Sequence, residues 1–327
     1  MNKINKFLYI FLPMMILVGC ADLDLQPTNM ISEDAVKNDP KLVEAFLTKI
    51  YHNVRWEPND HVAMRDGGKT NWKHWRFVDF ITGGEGTAMA PWQESIKAST
   101  DIPNASGART SLNYWPYGNI RSANEIIEIL NEATFDPETV KIQIAEARFM
   151  RAFMYLEMAK RYGGVPLELT PKQLDASYDE LYTPRSTLQA TYEQIFADLD
   201  AAIADLPGTA MSGKATKWAA HALKSRAALY AARIAKYHPQ SSDGLTSIPA
   251  GLAGGYYTMS HASASAIIDS GKYPLHTGGG TYQKTYSEVL TKKGNSEMIF
   301  VTEYDLGLGK THMHGYFNMP DGFKSGW

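Results

Sequence analysis

Within six residues, Asn71-Trp72-Lys73-His74-Trp75-Arg76 brings together two tryptophans, an amide and a guanidinium, and Glu85 and Trp92 follow closely. That combination suits one class of chemistry. A pyranose ring offers a flat apolar C–H face and a rim of hydroxyls. A site for a neutral oligosaccharide therefore pairs aromatic platforms with side chains that donate to and accept from that rim. Trp72 and Trp75 are three apart, so a single helical turn would place both rings on one face, with Asn71, Arg76 and Glu85 as polar partners. The same tryptophans could instead be core plugs that hold loops down, and the spacing leaves both uses open. Tyr304 and Trp327 could line the same face from the far end of the chain.

Other chemistries fail on spacing. Gly307-Leu-Gly-Lys-Thr311 looks like the end of a phosphate loop, but the pattern needs glycine five positions before Gly309, where Tyr304 stands. Gly84-Glu-Gly86 and Gly278-Gly-Gly280 lack the third glycine and the flanking strand and helix of a dinucleotide site. His312-Met-His314 is a close histidine pair without further nominated metal ligands. No nucleophile elbow or zinc-protease helix motif is present. The chain reads as a binding protein and not an enzyme, with no cofactor or metal implied.

Cys20 is the one cysteine among 327 residues, and it stands directly behind the long apolar run. Lys3 and Lys6 form a positive leader, Phe7 to Val18 is apolar, and Leu17-Val18-Gly19-Cys20 follows. The run is too short for a bilayer core that needs about 20 residues, and its layout is that of a secretory signal peptide. The ending resembles the lipobox of bacterial lipoproteins, in which cleavage precedes a lipid-modified cysteine. A single acyl chain anchors only marginally, whereas several chains anchor firmly. Residues 21–29, with Asp22, Asp24 and Pro27, read as an extended tether.

The charge supports no polyanionic partner. Lys plus Arg number 32 against 35 Asp plus Glu, a net charge of -3. Removing residues 1–19 takes away two lysines and no acid, leaving 30 basic against 35 acidic residues. No basic field exists to hold nucleic acid or an anionic membrane surface. The composition, 44% hydrophobic and 20% charged, is that of a globular domain and neither a disordered chain nor a disulfide scaffold.

The elements that must position the candidate residues are helical. Val36, Leu42, Val43, Phe46, Ile50 and Val54 repeat with a helical period interrupted near Pro40. From Trp56 to Trp115 the period disappears, yet five of the seven tryptophans (Trp56, Trp72, Trp75, Trp92, Trp115) lie there. Disordered segments are poor in tryptophan, so this loop-rich stretch reads as functional. Helical stripes then follow: Ile120, Ala123, Ile127 and Leu130; Ile142, Ala145, Phe149, Phe153, Leu156 and Ala159, stopped by Gly163-Gly164 and Pro166; and Leu188 to Leu206, opened by Ser186 and Gln189 at capping-box spacing. An alanine-rich helix spans about Thr216 to Tyr237, a short one Ser260 to Ser270, and Met298 to Tyr304 is strand-like. Alanine on facing surfaces lets helices approach closely. Long helices joined by short turns predict a mainly α fold, an irregular TPR-like scaffold of helix pairs with long loop-rich inserts.

In this order the motifs resemble the SusD/RagB family of outer-membrane nutrient-binding lipoproteins. The carriers are the lipobox, Trp115-Pro-Tyr-Gly-Asn-Ile-Arg-Ser-Ala-Asn124, and above all Ala145-Glu-Ala-Arg-Phe-Met-Arg-Ala-Phe-Met-Tyr155 leading to Arg161-Tyr-Gly-Gly-Val-Pro-Leu167. Pro184-Arg-Ser186, Ala215-Thr-Lys-Trp-Ala-Ala220, Ile267 to Leu275 and Asn295-Ser-Glu-Met-Ile-Phe300 follow. The resemblance implies a lipid-anchored lid at the cell surface of the outer membrane. Such a lid captures glycans, or in some members peptides, and passes them to a TonB-dependent, SusC-like transporter barrel. A structural lid without a ligand of its own is the third possibility.

It also implies three segments: a signal peptide at 1–19, a lipidated tether at 20–33 and one nutrient-binding domain at 34–327. Family members usually continue well beyond the last strand-like motif, so the domain is expected to lack its C-terminal portion. Within the signature block, Glu146, Arg148 and Arg151 are expected to satisfy one another and nearby carbonyls. Trp115 and Trp218 are expected in the core.

Overall fold

The structure, a computed structural model, describes residues 33–54, 64–66, 69–71, 114–173 and 175–302. The chain begins with α1 (Glu33–Asn38) and α2 (Pro40–Asn53). The interruption at Pro40 is a restart: Asp39 is the N-cap, its carboxylate accepts from the Lys41 backbone N–H at 2.8 Å, and Pro40 fills the first turn, where no N–H is needed. A small antiparallel hairpin follows, β1 (Met64–Asp66) and β2 (Lys69–Asn71), with Met64 opposite Asn71.

The main scaffold consists of α3 (Tyr117–Asn131), α4 (Pro137–Tyr162), α6 (Leu188–Asp205), α7 (Lys217–Tyr237) and α8 (Ala253–Asp269). The short α5 (Tyr178–Leu181) lies in the α4–α6 connection, and α9 (Tyr282–Thr291) follows α8. Consecutive long helices pack on one another, α3 on α4, α4 on α6, α6 on α7 and α7 on α8, while α2 covers α3 and α4. The fold is mainly α, an irregular TPR-like stack of helix pairs. No helix of the described residues is long and apolar enough to cross a membrane.

The middle layer is α4. The sequence predicts a single apolar stripe, but nearly every residue from Ala145 to Ala159 is buried, because α4 has α2 and α3 on one side and α6 on another. Met150, Met154, Leu156 and Met158 are fully buried, each large apolar side chain contributing about 1.5–3 kcal/mol. In α7 the inward positions are Ala219, Ala220, Ala227, Ala228, Ala231, Ala232 and Ala235. These small side chains let α6 and α8 both approach one helix closely.

Three sequence expectations are corrected. The N-cap of α6 is Thr187, whose Oγ1 accepts from Ala190 N–H at 3.1 Å, while Gln189 donates to Glu193 instead of closing a capping box with Ser186. Helix α8 begins at Ala253, seven residues before Ser260, through a 3₁₀ turn at Ala250–Leu252. Residues 298–302 form no strand; Phe300 packs edge-on against Phe149 of α4, ring centroids 5.5 Å apart.

The turn after α4 is fixed by close approach. Gly163 has φ 76°, a conformation L side chains rarely adopt, and Gly164 donates to the Leu245 carbonyl at 2.7 Å. A Cβ on Gly164 would lie 2.0 Å from the Ser186 carbonyl oxygen. Arg185 ties the turn from outside, donating to the carbonyls of Gly164 (2.8 Å) and Tyr162 (2.5 Å).

Candidate functional site

The helix ends that flank the loop-rich stretch meet. Asn53, the last residue of α2, accepts at its carbonyl from Asn119 Nδ2 in the first turn of α3, at 3.4 Å. Val54 is buried on the outgoing side and Tyr114 on the returning side. Of the candidate ligand residues, Asn71 is placed at the end of β2, opposite Met64. Trp72, Trp75, Arg76, Glu85, Trp92 and Tyr304 lie outside the described residues, as do Cys20, Trp327, His312 and His314.

The returning end carries an aromatic group that the sequence reading placed in the core. Trp115 is 52% exposed. Its ring meets Tyr162 edge-on, with centroids 5.1 Å apart and an angle of 82°, and Tyr117 at 5.0 Å and 59°. Both tyrosines are pinned: Tyr117 Oη donates to the Pro166 carbonyl at 2.6 Å, and Tyr162 Oη accepts from Tyr114 N–H at 2.9 Å. Burial, and then the neighbouring Glu168 carboxylate, push the Tyr117 hydroxyl well above its ordinary range, so it stays a donor. Trp115 lies two residues ahead of α3, outside any helical stripe, which is the signal that argues against a core position. Trp218, by contrast, is buried as expected, its Nε1 donating to the Gly208 carbonyl at 2.9 Å.

Of the signature charges of α4, Glu146 and Arg151 bond groups on other elements and not one another, and Arg151 also donates to the Leu169 carbonyl at 3.3 Å, as expected of a nearby carbonyl. Arg151 holds Asp198 of α6 through Nε (2.8 Å) and Nη2 (2.6 Å), and donates to Asn124 Oδ1 of α3 at 2.6 Å. Glu146 pairs with Lys214 at 2.9 Å, and Lys214 also reaches Glu44 of α2 at 2.6 Å. Burial raises the Glu146 carboxyl above its ordinary value despite Lys214, so desolvation outweighs the ion pair there. Arg148 is half-buried. Arg151 ties α4 to α3 and α6, and Glu146 is linked through Lys214 to α2.

A groove of about 330 Å³ runs between α4 and α7 and is closed by residues 297–302; Phe149, Phe153, Leu223, Phe300 and Arg226 line it. Its lining is mostly apolar, with Arg226, Glu297 and Thr302 as its polar side chains. Among the described residues no group of three His, Cys, Asp or Glu stands close enough to hold a metal ion.

Comparison with known proteins decides the family. Residues 23–229 match the SusD-like family described as starch-binding and associating with the outer membrane. The chain belongs to the SusD-like family. A SusD-like protein of Bacteroides ovatus is 25% identical over 237 residues, covering 70% of this chain and 39% of that protein. The crystal structure of a SusD-like protein from Bacteroides fragilis superposes with a TM-score of 0.57 at 24% identity, covering 85% of this chain and 47% of the other. A laminarin binding SusD-like protein superposes with a TM-score of 0.54 at 20% identity, covering 80% and 50%. This SusD-like chain thus spans half or less of the length of these relatives.

Proposed function

We propose that this SusD-like chain binds oligosaccharide at the outer surface of the outer membrane, is anchored there through lipid on Cys20, and hands the ligand to a SusC-like, TonB-dependent transporter. The observation that carries the reading is the match of residues 23–229 to a family described as starch-binding and associating with the outer membrane. A relative of the same fold named for laminarin binding supports it. The tryptophans at 72, 75 and 92 lie in the stretch between α2 and α3, whose facing ends are joined by the Asn53–Asn119 bond.

In this reading Trp72, Trp75 and Trp92 stack on pyranose faces, while Asn71, Arg76 and Glu85 bond the hydroxyl rim and Tyr304 adds a ring from the far end. The protein binds and does not cleave. A shallow site of this kind holds its ligand at about millimolar level, roughly -4 kcal/mol, and confinement over a transporter raises the effective concentration. Calorimetric titration of the full chain with malto- and laminari-oligosaccharides and with a peptide panel tests the reading. Binding of a glycan that Trp72→Ala and Trp75→Ala each weaken by tenfold or more is the expected result. Binding of peptides alone overturns the glycan reading, and unchanged glycan affinity in both variants overturns the site.

A further inference from the structure

We propose that the outward face of α7 is a docking surface for an extended acidic segment of a partner protein. The surface is separate from the glycan reading and uses none of its residues. The first ground is charge. Helix α7 carries Lys217, Lys224, Arg226, Arg233 and Lys236 and no acidic residue, in a chain whose net charge is -3. The balance over the whole chain averages this helix away. Asp200 of α6 takes up Lys224, whereas among the described residues no carboxylate pairs with Arg233 or Lys236.

The second ground is composition. Ala227, Ala228, Ala231, Ala232 and Ala235 are buried. Helical spacing then puts Arg226, Leu229, Tyr230, Arg233, Lys236 and Tyr237 in one outward row. Leu229, Tyr230 and Tyr237 are 47%, 40% and 65% exposed, and the three bases are exposed as well. The Lys236 ammonium lies 5.1 Å from the Tyr237 ring centre and 5.9 Å from that of Tyr257 in α8, and the Arg233 guanidinium 6.0 Å from Tyr237. Rings orient these cations without neutralising them, so their charge is left for a carboxylate, which a guanidinium fork binds well. Tyrosine and arginine are the residues that protein interfaces concentrate at their centres. Here they stand on a helix packed between α6 and α8.

The third ground is size. From Arg226 to Tyr237 the row runs about 16 Å at the helical rise, the span of about five residues of extended chain. Alternate side chains of such a segment face one way, so its carboxylates can meet the bases together. An anionic bilayer fits less well, because it would also face the acidic remainder of the chain, whereas a short segment touches the row alone.

The test titrates the full chain, by fluorescence anisotropy, into a labelled peptide of alternating Glu and Leu and into its Gln and Leu counterpart. Wild type should bind the Glu peptide and not the Gln peptide. Combining Arg233→Gln with Lys236→Gln should weaken binding about five- to tenfold, the loss of two exposed ion pairs, and Tyr237→Ala should weaken it too. Lys224→Gln removes the same charge from the same helix but off the row, and should leave the affinity unchanged. Glycan affinity should not change in any of these variants. If wild type leaves the Glu peptide unbound, or Lys224→Gln weakens binding as much as the variants in the row, the docking surface is overturned and the glycan reading stands. Phosphatidylglycerol vesicles, offered to Cys20→Ser so that an anchor does not mask the result, give the last arm. Binding to the vesicles without binding to the peptide overturns the acidic segment as occupant.

Discussion

Arg151 shows what a buried charge does in this molecule. Its guanidinium and the Asp198 carboxylate are 7% and 4% exposed and meet through two hydrogen bonds, with Asn124 accepting from the remaining nitrogen. Two charges withdrawn from water make little net stability, but removing one leaves the other stranded. Asp198→Ala should therefore cost about 3–5 kcal/mol in urea denaturation, whereas replacing both partners together, Arg151→Met with Asp198→Leu, should recover most of that loss. The charges themselves were legible as anomalies inside an apolar helix. Their partners were not, because Asp198 lies 47 residues from Arg151 and Lys214 lies 68 from Glu146, and no periodicity links positions so far apart. Trp115 was placed in the core on its family motif alone, although it stands two residues ahead of α3 and outside any helical stripe.

At the scale of elements, helices α3, α4 and α7 were legible from apolar spacing and from Gly163-Gly164, since both signals are local. What escaped was set by competition or by partners. Thr187 displaced Ser186 as N-cap when its hydroxyl reached the Ala190 N–H. The early start of α8 crosses Gly254 and Gly255, residues that local propensity counts against a helix. Residues 298–302, β-branched and aromatic in part, pair with no strand among the described residues, and Phe300 packs on Phe149 of α4 instead. The two kinds of glycine give opposite expectations. Gly164→Ala would force a methyl to 2.0 Å from the Ser186 carbonyl and should lose about 1–3 kcal/mol. Gly254→Ala, in helix α8 with nothing within 4 Å, should gain about 0.5–1 kcal/mol. Thermal melts of the two variants make the comparison.

For the whole molecule, the proposed anchor on Cys20 predicts an address as well as a fold. With Cys20 lipidated, the full chain expressed with its own leader should sediment with membranes and enter the detergent phase on cloud-point partition. Cys20→Ser should move it to the aqueous phase. A variant that stays with the membrane would overturn the anchor. The family and the helical scaffold were legible because their signatures are repeats and short blocks that lie on α3, α4 and α7. The candidate ligand residues were nominated by chemistry alone, and of these the structure describes Asn71, at the end of β2.

The bond between Asn53 and Asn119 ties the end of α2 to the first turn of α3 across residues 55–113. A segment whose ends meet on a fixed frame is an exchangeable cassette. Doubling its length adds only about 0.6 kcal/mol of closure entropy, and its sequence can change without disturbing the register of the helices that carry it. Grafting a different segment at that junction should therefore leave the packing of the helices unchanged, which a circular-dichroism melt of the grafted chain would read.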